Sequence, residues 1–150
     1  MTIKDRLTRG FVSGIVAGIV QDSLDYTANL ANISKVKYLD WVGIILFGSK
    51  PNNLGETLLA LGGEIIFSGV SGIIFAYLII RITNKNIIFK GWLFGVTIWF
   101  TTYVIMTLFK VRGLEAMDFS TAASDLFTSS LYGILLAYTL RWLDRKTFID

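Results

Sequence analysis

Four carboxylates stand inside long apolar stretches of this chain: Asp22, Asp25, Glu64 and Asp125. The 150 residues contain neither histidine nor cysteine. Disulfides, thiolate metal sites, haem ligation through His, and Cys–His or Ser–His nucleophile pairs are therefore excluded. What acids can do in apolar surroundings is hold a proton, a cation or a polar solute, or hydrogen-bond to a neighbouring helix. A charged acid in the middle of a membrane span costs about 3 kcal/mol on insertion scales. The interiors of these stretches carry no Lys or Arg to pair with them. The acids must then be protonated, hydrogen-bonded by Ser, Thr, Asn or Tyr, or wetted by a cavity, and acids placed close together share protons.

The spacing around the acids is helical. Glu64, Ser68, Gly72, Ile73, Ala76 and Tyr77 recur 61 residues later as Asp125, Ser129, Gly133, Ile134, Ala137 and Tyr138. An acid followed by small residues at i+4, i+8 and i+12 marks one face of a helix, not of a strand. Ala60, Ser68 and Ser71 share the Glu64 face, and Thr121, Ser129 and Tyr132 share that of Asp125, with Thr128 beside it. Asp22, Asp25, Asn29 and Asn32 follow one another at spacings of 3, 4 and 3, a polar stripe that must face protein or water. These faces together predict a polar pocket between helices, with Glu64, Asp125, Asp22, Asp25, Ser68 and Ser129 as its candidate ion- or solute-binding residues. Interhelical hydrogen bonding alone would also account for them, and Asp125 gains further from the nearby N-terminus of its own helix. No residue set suits a catalytic role, a metal or a cofactor.

Elements that position these residues follow from composition and patterning. Hydrophobic residues make up 53% of the chain and charged ones only 17%, with a mean hydropathy of +0.61. Such a sequence cannot cover itself with polar side chains, and its apolar runs are long enough to cross a hydrocarbon core of roughly 30 Å. The expectation is an all-α polytopic membrane protein forming a single domain over 1–150. Its four spans cover roughly 10–30, 54–82, 88–109 and 119–143. A short apolar helix over roughly 36–47 is headed by Lys35, Lys37, Tyr38, Asp40 and Trp41, residue types that favour an interface. It is expected to lie on the membrane surface or to re-enter shallowly. Asn53 and Glu56 are spaced as a capping pair for the second span. The basic start from Met1 to Arg9 lacks a small-x-small cleavage site before a polar segment, so it reads as part of a retained first helix.

Small residues set the expected packing. Gly10, Gly14 and Gly18 form a ladder on the first span, and Gly72 and Gly133 hold matching places in the repeated helices. Ladders of this kind let helix backbones approach closely in lipid. The entrance Arg9-Gly10-Phe11-Val12-Ser13-Gly14 also parallels Lys90-Gly91-Trp92-Leu93-Phe94-Gly95. The chain thus divides into two hairpin repeats of like orientation, related by a pseudo-twofold axis along the membrane normal. Parallel repeats occur among transporters, with sites between the halves, though packing need alone also makes small residues recur. Of the 14 Lys and Arg, nine fall at the ends holding both termini and the turn after the second span. Five fall on the opposite side, which predicts cytoplasmic termini. The net charge of +3 comes from these span ends, and no motif suggests a nucleic-acid partner.

The chain resembles a group of small four-helix membrane proteins from clostridia and related bacteria. The likeness rests on the GxxxG helix running into acids, Tyr38-Leu39-Asp40-Trp41, Lys50-Pro51-Asn52, Lys90-Gly91-Trp92, Leu108-Phe109-Lys110 and the helix Tyr132–Tyr138. It covers most of the chain, and implies an all-helical fold in a bacterial cytoplasmic membrane with no catalytic residues to carry over. Two functions fit the sequence. One is a protein that binds or passes a cation, proton or small polar solute through an acid-lined pocket. The other is a structural or accessory subunit that packs with itself or a larger membrane complex through its glycines. An enzyme acting on lipid is the weakest reading, since no nucleophile–base pair or phosphate-binding loop is present. The partner common to all is the lipid bilayer.

Overall fold

A computed structural model describes residues 5–82, 85–111, 114 and 117–147, apart from the side chains of 146 and 147. Lys4, Thr83, Arg112 and Glu115, which the sequence places in the N-terminal lead-in and two polar connections, lie outside the described residues. The fold is all-α. Its helices are α1 (Arg6–Leu30), α2 (Tyr38–Phe47), α3 (Leu54–Ile82), α4 (Ile87–Phe109) and α5 (Phe119–Thr147), and there is no strand among the described residues.

Local chemistry sets the boundaries. The Asp5 carboxylate accepts from the Thr8 backbone N–H at 3.0 Å, capping α1 four residues before the expected span begins. The Asp40 carboxylate accepts from Lys37 N–H at 3.1 Å and starts α2, which Gly48 ends at φ +75°. Asn53 Oδ1 accepts from Glu56 N–H at 2.9 Å, while the Glu56 carboxylate accepts from Asn52 N–H at 2.8 Å. That is the anticipated capping pair, reaching one residue further back than a standard box.

At 29 and 23 residues, with mean hydropathies of 2.2 and 1.6 over their most apolar segments, α3 and α4 are long and apolar enough to cross a membrane. The helices α1 and α5 are comparably long at 25 and 29 residues. Their acids and hydroxyl residues keep them below the same hydropathy.

α1 packs along α3 and α5, and α4 packs along α5. Where α1 meets α3 the backbones nearly touch. A Cβ added at Gly10 would stand 2.9 Å from both the Gly72 carbonyl oxygen and Ala76 Cβ, and one at Gly14 would stand 2.9 Å from Gly69 Cα and overlap the Ser68 carbonyl. At the α4–α5 contact, Gly91 meets the Gly133 carbonyl and Ala137 Cβ, and Gly95 meets the Ser129 carbonyl and Gly133 N. The partners correspond position for position. Gly10 and Gly14 map onto Gly91 and Gly95, while Ser68, Gly72 and Ala76 map onto Ser129, Gly133 and Ala137. The repeat in the sequence is thus a repeat of helix contacts.

The interior has two ends. Towards the chain termini it is apolar, with Phe75, Ile79, Leu136 and Leu140 almost wholly buried and Phe75 stacked at 5.3 Å on Phe94. At the other end stands α2, the short helix expected at the membrane surface or shallowly re-entrant. It starts at Tyr38 and rests on α3, with Asp40, Trp41, Gly43 and Ile44 buried. Val36, Trp41 and Ile44 pack with Met106 of α4 and with Leu114, and the Trp41 ring lies 6.1 Å from that of Tyr103. The helices α3 and α4 barely touch, so α2 wedges into the gap and buries aromatic surface there. Only Ile45, Leu46 and Phe47, at its far end, remain exposed.

Candidate functional site

Every acid singled out in the sequence turns towards one cluster, in the half of the bundle that α2 closes. α1 supplies Gln21, Asp22 and Asp25, α3 supplies Glu64, and α5 supplies Asp125 and Ser129. Glu64 lies ten residues inside the start of α3, about 15 Å along it. The Asp22 and Glu64 side chains lie within hydrogen-bonding reach of each other, and Asp25 stands in the electrostatic neighbourhood of both. Asp125 in turn lies within the field of Asp25. Glu64, Asp25 and Asp125 are buried, whereas Asp22 is half-buried.

Two tyrosines tie the cluster together. Tyr38 opens α2, and its backbone N–H donates to Asp25 Oδ2 at 2.8 Å, where a helix start presents N–H groups without partners. Its hydroxyl lies 2.6 Å from Ser129 Oγ, which also accepts from Gln21 Nε2 at 3.5 Å. Burial first, and then the Asp125 and Asp25 carboxyls, push the Tyr38 phenol well above its ordinary range, so it stays a neutral hydrogen-bonding group. Tyr103 of α4 donates its hydroxyl to Asp125 Oδ2 at 2.8 Å. Asp25 Oδ1 and Asp125 Oδ1 are both buried without a hydrogen-bond partner among the described residues.

Cations stay at the margin. Lys37 acts on Asp25 from the head of α2, and Lys50 Nζ pairs with Asp40 at 3.2 Å. No group of three or more acids among the described residues is arranged to hold a metal ion. Ser68 lies one helical turn inward of Glu64. Its backbone carbonyl accepts from the Tyr132 hydroxyl at 2.9 Å, and its side chain packs against Gly18. Beyond this layer the apolar end begins.

The candidate residues thus divide. Asp22, Asp25, Glu64, Asp125 and Ser129 form the cluster, and Ser68 lies at its inner edge. Gly10, Gly14, Gly18, Gly72 and Gly133 all sit at helix contacts within the chain. Sequence reasoning left out Tyr38 and Tyr103. A signal existed for Tyr103: it follows Asp22 by the same 81 residues that separate Gly10 from Gly91 and Gly14 from Gly95. The repeat therefore places a tyrosine where the first half has an acid. Nothing local marks Tyr38, whose partners are 13 and 91 residues away. Comparison with family models, with curated proteins and with solved structures finds no match, so the reading of this site rests on its own residues and distances.

Proposed function

We propose that this is a four-span protein of a bacterial cytoplasmic membrane that takes up protons at the carboxyl cluster and passes them inward. Support for the membrane setting comes from the exposed surface. Buried positions make up only 39% and 11% of the most apolar segments of α3 and α4, whereas the core helix of a soluble protein is mostly buried. The remaining faces carry large apolar groups, among them Ile19 of α1, Ile66 and Phe67 of α3, Phe100 of α4 and Phe127 of α5. Such a girdle suits lipid. On this reading α1 and α5 cross as well, their acids shielded by one another, and both termini lie on the cytoplasmic side, where basic residues are in excess.

One observation carries the functional reading: the Asp22 and Glu64 side chains lie within hydrogen-bonding reach of each other across the α1–α3 contact. Two carboxylates at that distance can only repel, because each only accepts; a proton held between them turns the contact into a hydrogen bond. On this reading the pair is the proton-binding site, with half-buried Asp22 as its exchanging end. Asp25, Tyr38 and Ser129 extend hydrogen-bonding groups from it towards Asp125. A proton favours this arrangement over a metal cation, which would need several oxygens converging on one point. Inward release requires the apolar layer around Phe75 and Leu136 to open, so passage depends on a movement of the helices. The accessory-subunit reading drew on Gly10, Gly14 and Gly18, but these meet α3 of the same chain.

Proton flux into liposomes, driven by an imposed pH gradient and read by an entrapped dye, tests the proposal. Glu64→Gln should slow flux at least about tenfold, in line with the loss of a positioned proton carrier, and Asp125→Asn should slow it less. Wild-type flux no greater than that of empty liposomes, or equal flux in both variants and the wild type, would overturn the reading.

A further inference from the structure

At the opposite end of the bundle from the acids, the chain builds a cavity of about 900 Å³. Among the described residues, five cations line it, Arg6, Arg9, Lys85, Arg141 and Arg145, against a single carboxylate, Asp144. Residues from both ends of the chain and from the α3–α4 turn converge there. We propose that this cavity binds the phosphate group of an anionic amphiphile, a membrane phospholipid with a net negative headgroup. The proposal rests on the membrane reading above but not on the proton site.

The charge balance is the first argument. Asp144 is shared between two arginines, with Arg9 Nη1 at 3.0 Å and Arg6 Nη1 at 4.0 Å. Among the described residues the cations lining the cavity thus outnumber its acids, and an excess of positive charge around one concavity calls for an anion. Arginine suits phosphate in particular, because its planar fork matches two phosphate oxygens at once. Arg6 is also held in place, its Nε donating to the Ala76 carbonyl at 2.8 Å, so part of the site is ordered beforehand.

The second argument is the first turn of α4. Ile87, Ile88 and Phe89 line the same cavity, and Asn86, the cap of this helix at φ 55°, makes no side-chain capping bond. The starting N–H groups of a 23-residue helix favour an anion beside them. These residues also give the cavity an apolar wall, with Phe89 strongly exposed. A free inorganic anion has no use for such a wall, whereas a phospholipid has acyl chains to lay against it. The cavity further lies at the basic ends of the long helices, where headgroups stand if those helices cross a bilayer.

Thermal unfolding of delipidated protein in a neutral detergent, titrated with phosphatidylglycerol, phosphatidylcholine or inorganic pyrophosphate, tests the assignment. Phosphatidylglycerol should stabilise the wild type and phosphatidylcholine should not. The double variant Arg141→Gln/Arg145→Gln should bind phosphatidylglycerol about 25-fold more weakly, roughly fivefold for each cation removed. Lys110→Gln, at the other end of the bundle, should bind as the wild type does. Lys85→Gln, expected about fivefold weaker, serves as the test should the double variant not fold. Stabilisation by pyrophosphate alone, lost in the same variants, would keep the phosphate chemistry and assign it to a soluble ligand in place of a lipid. Equal response to both lipids with none to pyrophosphate, or unchanged affinity in the variants, overturns the proposal. Alkaline extraction of native membranes tests the membrane reading separately, since a non-spanning protein is released whatever the cavity binds. Proton flux should be unaffected by Arg141→Gln/Arg145→Gln.

Discussion

The two halves of the bundle share a scaffold and differ in their chemistry. In the first, Gly10 and Gly14 of α1 pack on Ser68, Gly72 and Ala76 of α3; in the second, Gly91 and Gly95 of α4 pack on Ser129, Gly133 and Ala137 of α5. One helical turn beyond Ser68 and Ser129 stand the equivalent acids Glu64 and Asp125. Their partners across the contact are also equivalent in the repeat, yet differ in kind. Glu64 faces Asp22, an acid, while Asp125 faces Tyr103, a phenol. An acid facing an acid needs a bound proton, whereas an acid facing a phenol accepts its hydrogen bond and needs none. On the proposed reading the same backbone geometry holds an exchangeable proton in one half, against the hydrogen bond from Tyr103 to Asp125 in the other. The first half also carries the inserted α2, whose Tyr38 reaches across to Ser129 of the second.

The largest expected effect tests the shared scaffold. Gly14→Leu and its equivalent Gly95→Leu should each cost upwards of about 3 kcal/mol, because the new side chain meets backbone that cannot yield without separating the helices. Gly62→Ala on α3 is the contrast. Nothing lies within 4 Å of a Cβ there, so the change should be neutral or stabilise by up to about 1 kcal/mol through lower chain entropy. Unfolding in mild detergent would read all three. If Gly14→Leu were tolerated and Gly95→Leu not, the contacts would be alike in shape but not in energy.

The next effect tests the chemical difference. Infrared spectra should show a protonated carboxyl bonded to another carboxyl, and that band should vanish in both Asp22→Asn and Glu64→Gln. Asp125→Asn should leave it in place. A band surviving both first-half changes would mean that the proton sits elsewhere.

Much of the scaffold was legible in the sequence because its signals are local. Helical spacing, caps such as Asn53 with Glu56, and the recurrence of acid, Ser, Gly and Ala every four residues all act within a few turns of chain. The convergence of Asp22, Asp25, Glu64 and Asp125 was legible for the same reason, since each carried polar or small company on its own face. The placement of α2 was not. Tyr38, Trp41 and a run of Ile, Leu and Phe describe a surface helix and a wedge equally well, and only the gap between α3 and α4 decides between them. Nor could spacing show that Arg6, Lys85 and Arg145 share a cavity, because no local period connects residues so far apart in the chain.

A smaller effect separates the two acid partners energetically. Tyr103→Phe removes the donor to Asp125 Oδ2 while Oδ1 is already buried without one, so a loss of about 1–3 kcal/mol is expected. Asp22→Asn keeps a donor towards Glu64 and should change stability by less than about 1 kcal/mol. Equal losses in the two would mean that Tyr103 acts by packing on Trp99 and Trp41 rather than by its hydroxyl. Tyr103→Leu, which removes the ring as well, would then cost far more than Tyr103→Phe.

The smallest effect lies at the rim, where Lys35 bridges the first half to the second. Its Nζ is 2.7 Å from Asp118 Oδ2, and its backbone N–H donates to Thr121 Oγ1 at 3.1 Å. Hydrogen bonds from Lys35 and then from Thr121 hold the Asp118 carboxyl below its ordinary range. A carboxyl whose folded pKa is depressed stabilises the fold above its unfolded value of about 3.9, and that contribution is lost as pH falls through the folded value. Stability should therefore decline slightly more in the wild type than in Asp118→Asn as pH drops below about 4. The difference should be small, because both groups are solvated and salt screens the pair. Thermal unfolding followed against pH at low and high salt would read it. A difference that grew with salt would exclude an ion pair and leave the Thr121 hydrogen bond as the tie between the halves.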